Sequence, residues 1–381
     1  MPASSNLERR LRAQLDMLEA HGLRRTLRAP SGIDFASNDY LGLSRHVSIC
    51  EAMAAAVARE GCGSTGSRLL CGEREAFAQL ERRFARFKGA ESALYFSTGY
   101  MANLAVLATF AEAGDVIYSD AHNHASLIDG ARLSKAERRI FPHHNPAALA
   151  AMMTQETAPG QKFIVTESLF SMDGDFAPLA EYARLANAHG AVLIVDDAHA
   201  VGIYGRNGLG LSGDAWISVS TAGKALGVCG AFVAGPEWAI ETLIQRARPF
   251  IFSTASPPAV AAALEASLEL VGREPWRRTQ LIERAAYLRR RLGEAGIAIP
   301  EGSSQIVPVI IGDNERALLV ARALEARGFD ARAIRPPSVP EGTARLRLSV
   351  NTNLPEPTLD RFAEALATAL KEYAPCCAAS S

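Results

Sequence analysis

From about residue 93 onward, short apolar runs alternate with longer stretches that repeat every three to four positions. The short runs are Val116-Ile117-Tyr118, Phe163-Ile164-Val165, Ala191 to Val195, Ile217-Ser218-Val219 and Ala231-Phe232-Val233. Between them, residues 101–110, 126–133, 146–157 and 179–189 carry helical spacing. Strands that are apolar throughout must be covered on both sides. The pattern therefore predicts an α/β fold whose mostly parallel central sheet has helices on both faces.

The flanks read differently. Leu7, Leu11, Leu15 and Leu18 predict an amphipathic helix over 7–22, and Ile33-Asp34-Phe35 a short strand. Helices follow over 47–60 and 73–88, separated by a loop of small residues, 61–68. Residues 257–293 read as helix with a break at Glu274-Pro275. A strand over 306–311, a helix over 315–327, a strand over 345–350 and a helix over 357–373 predict a smaller α+β domain. Arginine and leucine alternate in Arg345-Leu346-Arg347-Leu348, the pattern of a half-exposed strand with its arginines on one face. The expected division is an N-terminal segment, 1–44, a large domain, 45–273, and a small domain, 274–381.

Composition narrows the function classes. The 381 residues are 48% hydrophobic and 21% charged, with a formal net charge of −1, an ordinary globular balance. Without a Lys/Arg-rich arm or basic excess, nucleic acid is not an expected partner. No apolar run reaches membrane-spanning length, and the charged start has no apolar signal region. Six sparse cysteines without a C-x-x-C pattern fit reduced thiols in the cytoplasm, and Cys376 and Cys377 fall in a tail expected to fray.

The candidate chemistry centres on Ser220-Thr221-Ala222-Gly223-Lys224-Ala225. A lysine in a turn after a short apolar strand suits Schiff-base chemistry with an aldehyde cofactor. The run Ala191 to Val195 ends in Asp196, where a carboxylate can keep a pyridine nitrogen protonated, and His199 follows three residues later. Ser97-Thr98-Gly99-Tyr100 opens a helix, so its N–H groups and hydroxyls can hold a phosphate. Ser220 and Thr221 add hydroxyls, and His124 can stack on a flat ring. Together these residues fit pyridoxal 5'-phosphate (PLP). Competing motifs are poorer. Gly61-x-Gly63-x-x-Gly66 matches a dinucleotide fingerprint but follows a helical pattern where a strand is required. His122, His124, Asp196, Asp197 and His199 could suggest a metal-dependent hydrolase, but no H-E-x-x-H occurs, and no metal is expected. Neither G-x-S-x-G nor a P-loop is present.

Four motifs resemble those of the α-oxoamine synthases, fold-type I PLP enzymes. They are Ser37-Asn38-Asp39-Tyr40-Leu41-Gly42-Leu43, the segment from Thr166-Glu167-Ser168 to Asp173-Gly174-Asp175, Val195-Asp196-Asp197-Ala198-His199 and Thr221-Ala222-Gly223-Lys224-Ala225. The resemblance implies decarboxylative condensation of an amino acid with an acyl thioester, on a homodimer with shared active sites. It implies that Lys224 holds the cofactor aldehyde and later takes the α-proton. Asp196 would pair with the ring nitrogen, His199 with the phenolic oxygen, and His124 would stack on the ring. Gly99, Tyr100, Ser171 and Thr221 would lie by the phosphate. Thr254 and the Gly63 loop would serve the partner's site. Arg347 would take the amino-acid carboxylate, Asn38 would lie by the substrate, and Arg24 and Ser338 would touch the acyl chain. Residues 333–347 are most similar to the biotin-pathway member, implying L-alanine and a pimeloyl thioester, on CoA or a carrier protein. Thr65, Cys71 to Glu73, Ala222 and Ala225 depart from the usual pattern near the acyl site. A sister activity using glycine or serine with another acyl-CoA is the alternative.

Overall fold

The computed structural model describes residues 5–374, so the expectation for Cys376 and Cys377 falls outside it. The chain forms two units: Asn38–Ser171 with Asp175–Gln280, and the stretch through Ser37 with Met172–Gly174 and the residues from Leu281 onward. The boundaries expected after residues 44 and 273 thus fall after 37 and 280. The first differs because Ile33–Asp34 pairs in parallel with Phe329–Asp330, a partner far down the chain that local pattern does not reveal. The second differs because Trp276–Glu294 is one helix, and its buried Leu281, Ala285, Leu288 and Leu292 all lie in the second unit.

The large unit is built on a seven-stranded sheet. In spatial order its strands are Ser92–Phe96, Ala231–Gly235, Ile217–Thr221, Ala191–Asp196, Lys162–Glu167, Val116–Asp120 and Glu137–Phe141. All neighbours run parallel except Ala231–Gly235, which is antiparallel to both of its neighbours. Period-two alternation sends Ile117, Phe163, Val165 and Ile194 into one core with Ala102, Val106, Leu127 and Ile240. Val116, Tyr118, Ile164, Leu193 and Val195 enter a second core with Leu149, Met153 and Tyr182. Both faces are thus apolar, which is why the strands read as unbroken runs. Glu137–Phe141 escapes the pattern because it is an edge strand whose first four residues are exposed.

Three parallel strands end together in polar residues. Glu167 and Asp196 are register partners, and Thr221 closes the next strand. Ligands of such sheets sit beyond these carboxyl ends.

In the second unit, Ala344–Ser349 lies between Ala333–Ile334 and Ile306–Gly312 in an antiparallel sheet. All six of its residues are buried, which corrects the half-exposed reading. The arginines are covered because they find partners: Arg345 donates to Asp173 Oδ1 at 2.5 Å and Met172 O at 3.3 Å, and Arg347 to Ser349 Oγ at 2.6 Å. Phe35 stacks on Phe362 at 3.9 Å, with Phe329 edge-on. The helix Asn6–Ala20 forms as expected, but none of its residues is buried. Among the described residues no helix is long and apolar enough to cross a membrane.

Candidate active site

Lys224 follows the strand Ile217–Thr221 in a turn closed by Ala222 N to Gly230 O at 2.8 Å and Gly227 N to Lys224 O at 2.8 Å. Its Nζ lies 2.8 Å from His199 Nε2. His199 Nδ1 lies 2.7 Å from the Tyr40 hydroxyl, which donates to Asn38 Oδ1 at 2.9 Å. A phenol has one proton, so giving it to Asn38 makes Tyr40 the acceptor of His199 Nδ1–H. That tautomer turns the Nε2 lone pair toward Lys224, whose ammonium or amine donates to it. Tyr40 is fully buried, so the relay is held rigidly from behind.

Asp196 is buried at its strand end. Its Oδ2 accepts Asn103 Nδ2 at 2.6 Å and its Oδ1 accepts Ala198 N at 2.9 Å. Asn103 gives its other proton to Ser126 Oγ at 2.8 Å. Ser126 Oγ lies 2.8 Å from His124 Nδ1, and Ser126 N donates to the same nitrogen at 3.2 Å. Nδ1 therefore accepts, and the ring proton sits on Nε2. Desolvation lowers the His124 pKa, and Lys224 lowers it further against the pull of Asp196, so the imidazole is neutral. One hydrogen-bonded chain thus ties Asp196 to His124 through Asn103 and Ser126.

Glu167 adds a second carboxyl beside Asp196. It is buried and accepts the backbone N–H groups of His124 and Ser171, while Oε1 has no partner. Burial first, then the charge of Asp196, pushes its pKa up to about 8. Near neutrality Glu167 is a carboxylic acid that joins the His124 and Ser171 loops.

The start of the helix Gly99–Phe110 lies against the end of the strand Ile217–Thr221. Thr98 caps the helix Gly99–Phe110 by accepting Met101 N, leaving the first-turn N–H groups of Gly99 and Tyr100 free of intrahelical acceptors. A Cβ on Gly99 would lie 2.5 Å from Thr221 Oγ1, so only glycine lets these segments approach. Ser220 Oγ is buried without a partner. Tyr100 is half exposed, with its hydroxyl bonded to Asp129 and its ring 6.3 Å from that of His124.

Asp197, next to Asp196, is structural. It is fully buried and accepts Lys88 Nζ at 2.8 Å, Ser168 Oγ at 2.6 Å, Ser212 Oγ at 2.9 Å and Leu211 N at 3.1 Å. Burial raises its pKa, but the Lys88 charge and these donors more than offset that, and the net shift is downward. A depressed carboxyl stabilises the fold above its unfolded pKa, and the benefit is lost as pH falls through its folded value. Replacing Lys88 by Met strands a buried carboxylate and should cost about 3–5 kcal/mol in urea unfolding at neutral pH. The penalty should shrink in acid, where Asp197 takes a proton, and in the Lys88→Met, Asp197→Asn double variant. Wild-type stability of Lys88→Met at neutral pH would refute this anchoring role.

The remaining expected residues separate by unit. Thr254 bridges to Ser67, and Ala255 N donates to Gly66 O at 2.9 Å, so Thr254 and the Gly63 loop form one patch. Thr65, where the family resemblance expects glycine, holds φ +59°, the left-handed region glycine adopts freely. Gly61 caps the helix Val47–Glu60, so no strand precedes the dinucleotide-like glycines. In the second unit, Arg25 donates to Pro336 O at 3.0 Å and Arg335 bonds to Gly22 O, joining the segments that carry Arg24 and Ser338. Both of those side chains are exposed. Tyr40, Asn103, Ser126 and Glu167 had no role assigned from sequence. A lone Asn in the apolar stretch 101–110, and an acid ending the run Phe163-Ile164-Val165, were the available signals.

Residues 30–366 match the family model described as aminotransferase class I and II. The chain belongs to the aminotransferase class I and II family. Members of this family carry PLP, and the donor set fits it: a lysine amine, a buried carboxyl at the adjacent strand end, a neutral imidazole and a helix N-terminus beside hydroxyls. The chain is 47% identical over 353 residues to an 8-amino-7-oxononanoate synthase of Cupriavidus metallidurans, covering 88% of this chain and 87% of the relative. A variant serine palmitoyltransferase from S. paucimobilis, with a bound PLP–myriocin aldimine, superposes with a TM-score of 0.90 at 29% identity, over 97% of this chain and 99% of that one. An 8-amino-7-oxononanoate synthase from Francisella tularensis superposes with a TM-score of 0.77 at 29% identity, over 90% and 98%. Within this family the sheet is the fold-type I scaffold, and Asp196 and Lys224 occupy adjacent strand exits of it.

Proposed function

We propose that the protein condenses L-alanine with a pimeloyl thioester, on CoA or a carrier protein, to give 8-amino-7-oxononanoate, the free thiol and carbon dioxide. The observation that carries the chemistry is Lys224 Nζ at 2.8 Å from His199 Nε2, with Asp196 at the adjacent strand end accepting from Asn103 and Ala198. The choice of substrates rests on relatives such as the C. metallidurans 8-amino-7-oxononanoate synthase. The reading includes a cytoplasmic homodimer in which Thr254 and the Gly63 loop serve the partner's site.

PLP, when bound, supplies an electron sink for bonds broken at the amino-acid α-carbon. Lys224 would hold it through the aldehyde and afterwards take the α-proton at Nζ. Asp196 would hold a proton on the pyridine nitrogen, which keeps the sink strong. His199 would face the phenolic oxygen, and His124 would cover the ring. Gly99, Tyr100, Ser171 and Thr221 would bind the phosphate. Arg347 is assigned the amino-acid carboxylate, a task for a guanidinium fork. Asn38 is assigned to the substrate, and Arg24 and Ser338 to the acyl chain. The α-carbon would then bond to the acyl carbon as the thiolate leaves, the carboxylate would depart as carbon dioxide, and a proton would return to the α-carbon.

Alanine with pimeloyl-CoA should release thiol and yield a product of the mass of 8-amino-7-oxononanoate. Glycine and serine should be at least about 10-fold poorer in kcat/KM, the scale for one methyl or hydroxymethyl group. Faster turnover of serine or glycine with another acyl-CoA would favour the sister activity. No thiol release with any pair would refute the condensation itself.

A further inference from the structure

Away from the lysine, the loops after Val116–Asp120 and Glu137–Phe141 bring three imidazoles into one stack. His122 lies 4.0 Å from His143, and His143 lies 3.8 Å from His144, ring centre to ring centre. Phe170 packs edge-on against His143 at 4.5 Å. Asp175 reaches the stack from the loop after Ser171, which a backbone bond from Phe170 N to Asp175 O at 3.0 Å holds in place. None of these side chains is assigned a part in the proposed condensation.

We infer that His143 Nε2, His144 Nδ1 and Asp175 form a divalent-metal site, suited to Zn²⁺, with a fourth position for water. The three donor atoms lie within 4.8 Å of one another. Zinc with N and O ligands at about 2.0–2.1 Å sets neighbouring tetrahedral donors about 3.3 Å apart. Two of the edges here are 3.0 Å, from Asp175 Oδ2 to His143 Nε2, and 3.6 Å, from Asp175 Oδ2 to His144 Nδ1. They bracket the required spacing, and the third edge, from His143 Nε2 to His144 Nδ1, lies within 4.8 Å.

The outer shell is also present. A metal-bound histidine ordinarily gives its other ring N–H to a carboxylate, which fixes the tautomer and aims the lone pair. Asp120, buried, accepts from His143 Nδ1 at 2.8 Å. It also takes the backbone N–H of His122 at 2.8 Å and of His144 at 3.4 Å, so one carboxylate organises the whole loop. Asp175 Oδ1 is buried without a partner and is available as a second donor. His144 Nε2 has none either, and keeps the ring proton when Nδ1 binds the ion. The ligands are part-exposed, at 17%, 27% and 32%, which leaves an entry path. Two imidazoles and a carboxylate favour a borderline ion such as Zn²⁺ over Mg²⁺ or Ca²⁺. This site differs from the grouping of His122, His124 and His199 considered from sequence. Among the described residues it is the one group of three such side chains within ligand reach.

The test uses the cofactor-loaded full chain titrated with Co²⁺, whose visible ligand-field bands report coordination. One Co²⁺ per chain should bind saturably, with the strong bands of low coordination number, and Zn²⁺ should displace it. Bands of this kind with no sulfur charge transfer would separate the site from the exposed Cys50, Cys62, Cys71 and Cys229. His144→Asn is the primary variant, since asparagine tolerates the φ of +53° at this position. It should weaken binding at least about 10-fold, as should Asp175→Asn, while Asp120→Asn should weaken it about 10- to 100-fold through His143. Zn²⁺ should raise the melting temperature of the wild type and not of His144→Asn. No saturable band, a sulfur-ligated spectrum, or bands unchanged in both His144→Asn and Asp175→Asn would overturn the inference.

Discussion

A Lys224→Ala variant should lose turnover by about 10⁴-fold while keeping its fold, because it removes both the covalent anchor and the base. Lys224 is the one amine placed against His199 Nε2, at 2.8 Å, and no other described lysine contacts that ring. Lys88 is committed to Asp197, Leu209 O and Ser212 within its own buried cluster. Borohydride reduction of the wild type followed by peptide mass analysis should leave the cofactor's mass on the peptide containing residue 224. The variant should show no such mark, yet retain reversibly bound cofactor, since Asp196, His124 and the Gly99 helix remain. A marked peptide elsewhere, or turnover within about 10-fold of wild type, would remove Lys224 from the mechanism.

Lys224, Asp196 and His199 stand out in the sequence while the residues that contact them do not, and the difference is a matter of range. Strands covered on both faces write themselves as apolar runs, so an acid or a lysine at the end of one stands out against its background. Tyr40 meets His199, and Asn103 meets Asp196, only through tertiary contact. Their own neighbours in sequence do not mark them. The same limit hid the pairing of Ile33–Asp34 with Phe329–Asp330. Alternation in Arg345-Leu346-Arg347 identified a strand and a shared arginine face correctly. It carried no information on whether that face was covered, because burial depends on Asp173 and Ser349 being there to receive the charge and the donors. Glu137–Phe141 went unseen for the converse reason: an edge strand is stabilised by its one neighbour, Val116–Asp120, and tolerates exposed charge.

Asp196→Asn should cost about 10²- to 10³-fold in kcat, the scale for losing one preorganised electrostatic stabiliser. Asp196 accepts from Asn103 Nδ2 at 2.6 Å and from Ala198 N at 2.9 Å. An amide in its place must either turn its NH₂ toward one of these donors or break the contact, and it leaves no charge to hold a proton on the ring nitrogen. The substitution also has a signature that simple misfolding lacks. Glu167, the register partner of Asp196, is held protonated to about 8 by burial and by the Asp196 charge. Its unfolded form ionises near the ordinary glutamate value, so the wild type binds an extra proton on folding between that value and about 8. The stability this group contributes is therefore full in acid and is lost as pH rises through about 8. Removing the Asp196 charge lets Glu167 ionise at lower pH, so its carboxyl infrared band should shift to the ionised form earlier in a titration of Asp196→Asn than in the wild type. A variant with wild-type kcat would show that the ring nitrogen needs no anion here. An unmoved Glu167 band would show that burial alone keeps it neutral, with no electrostatic communication between the two strand ends.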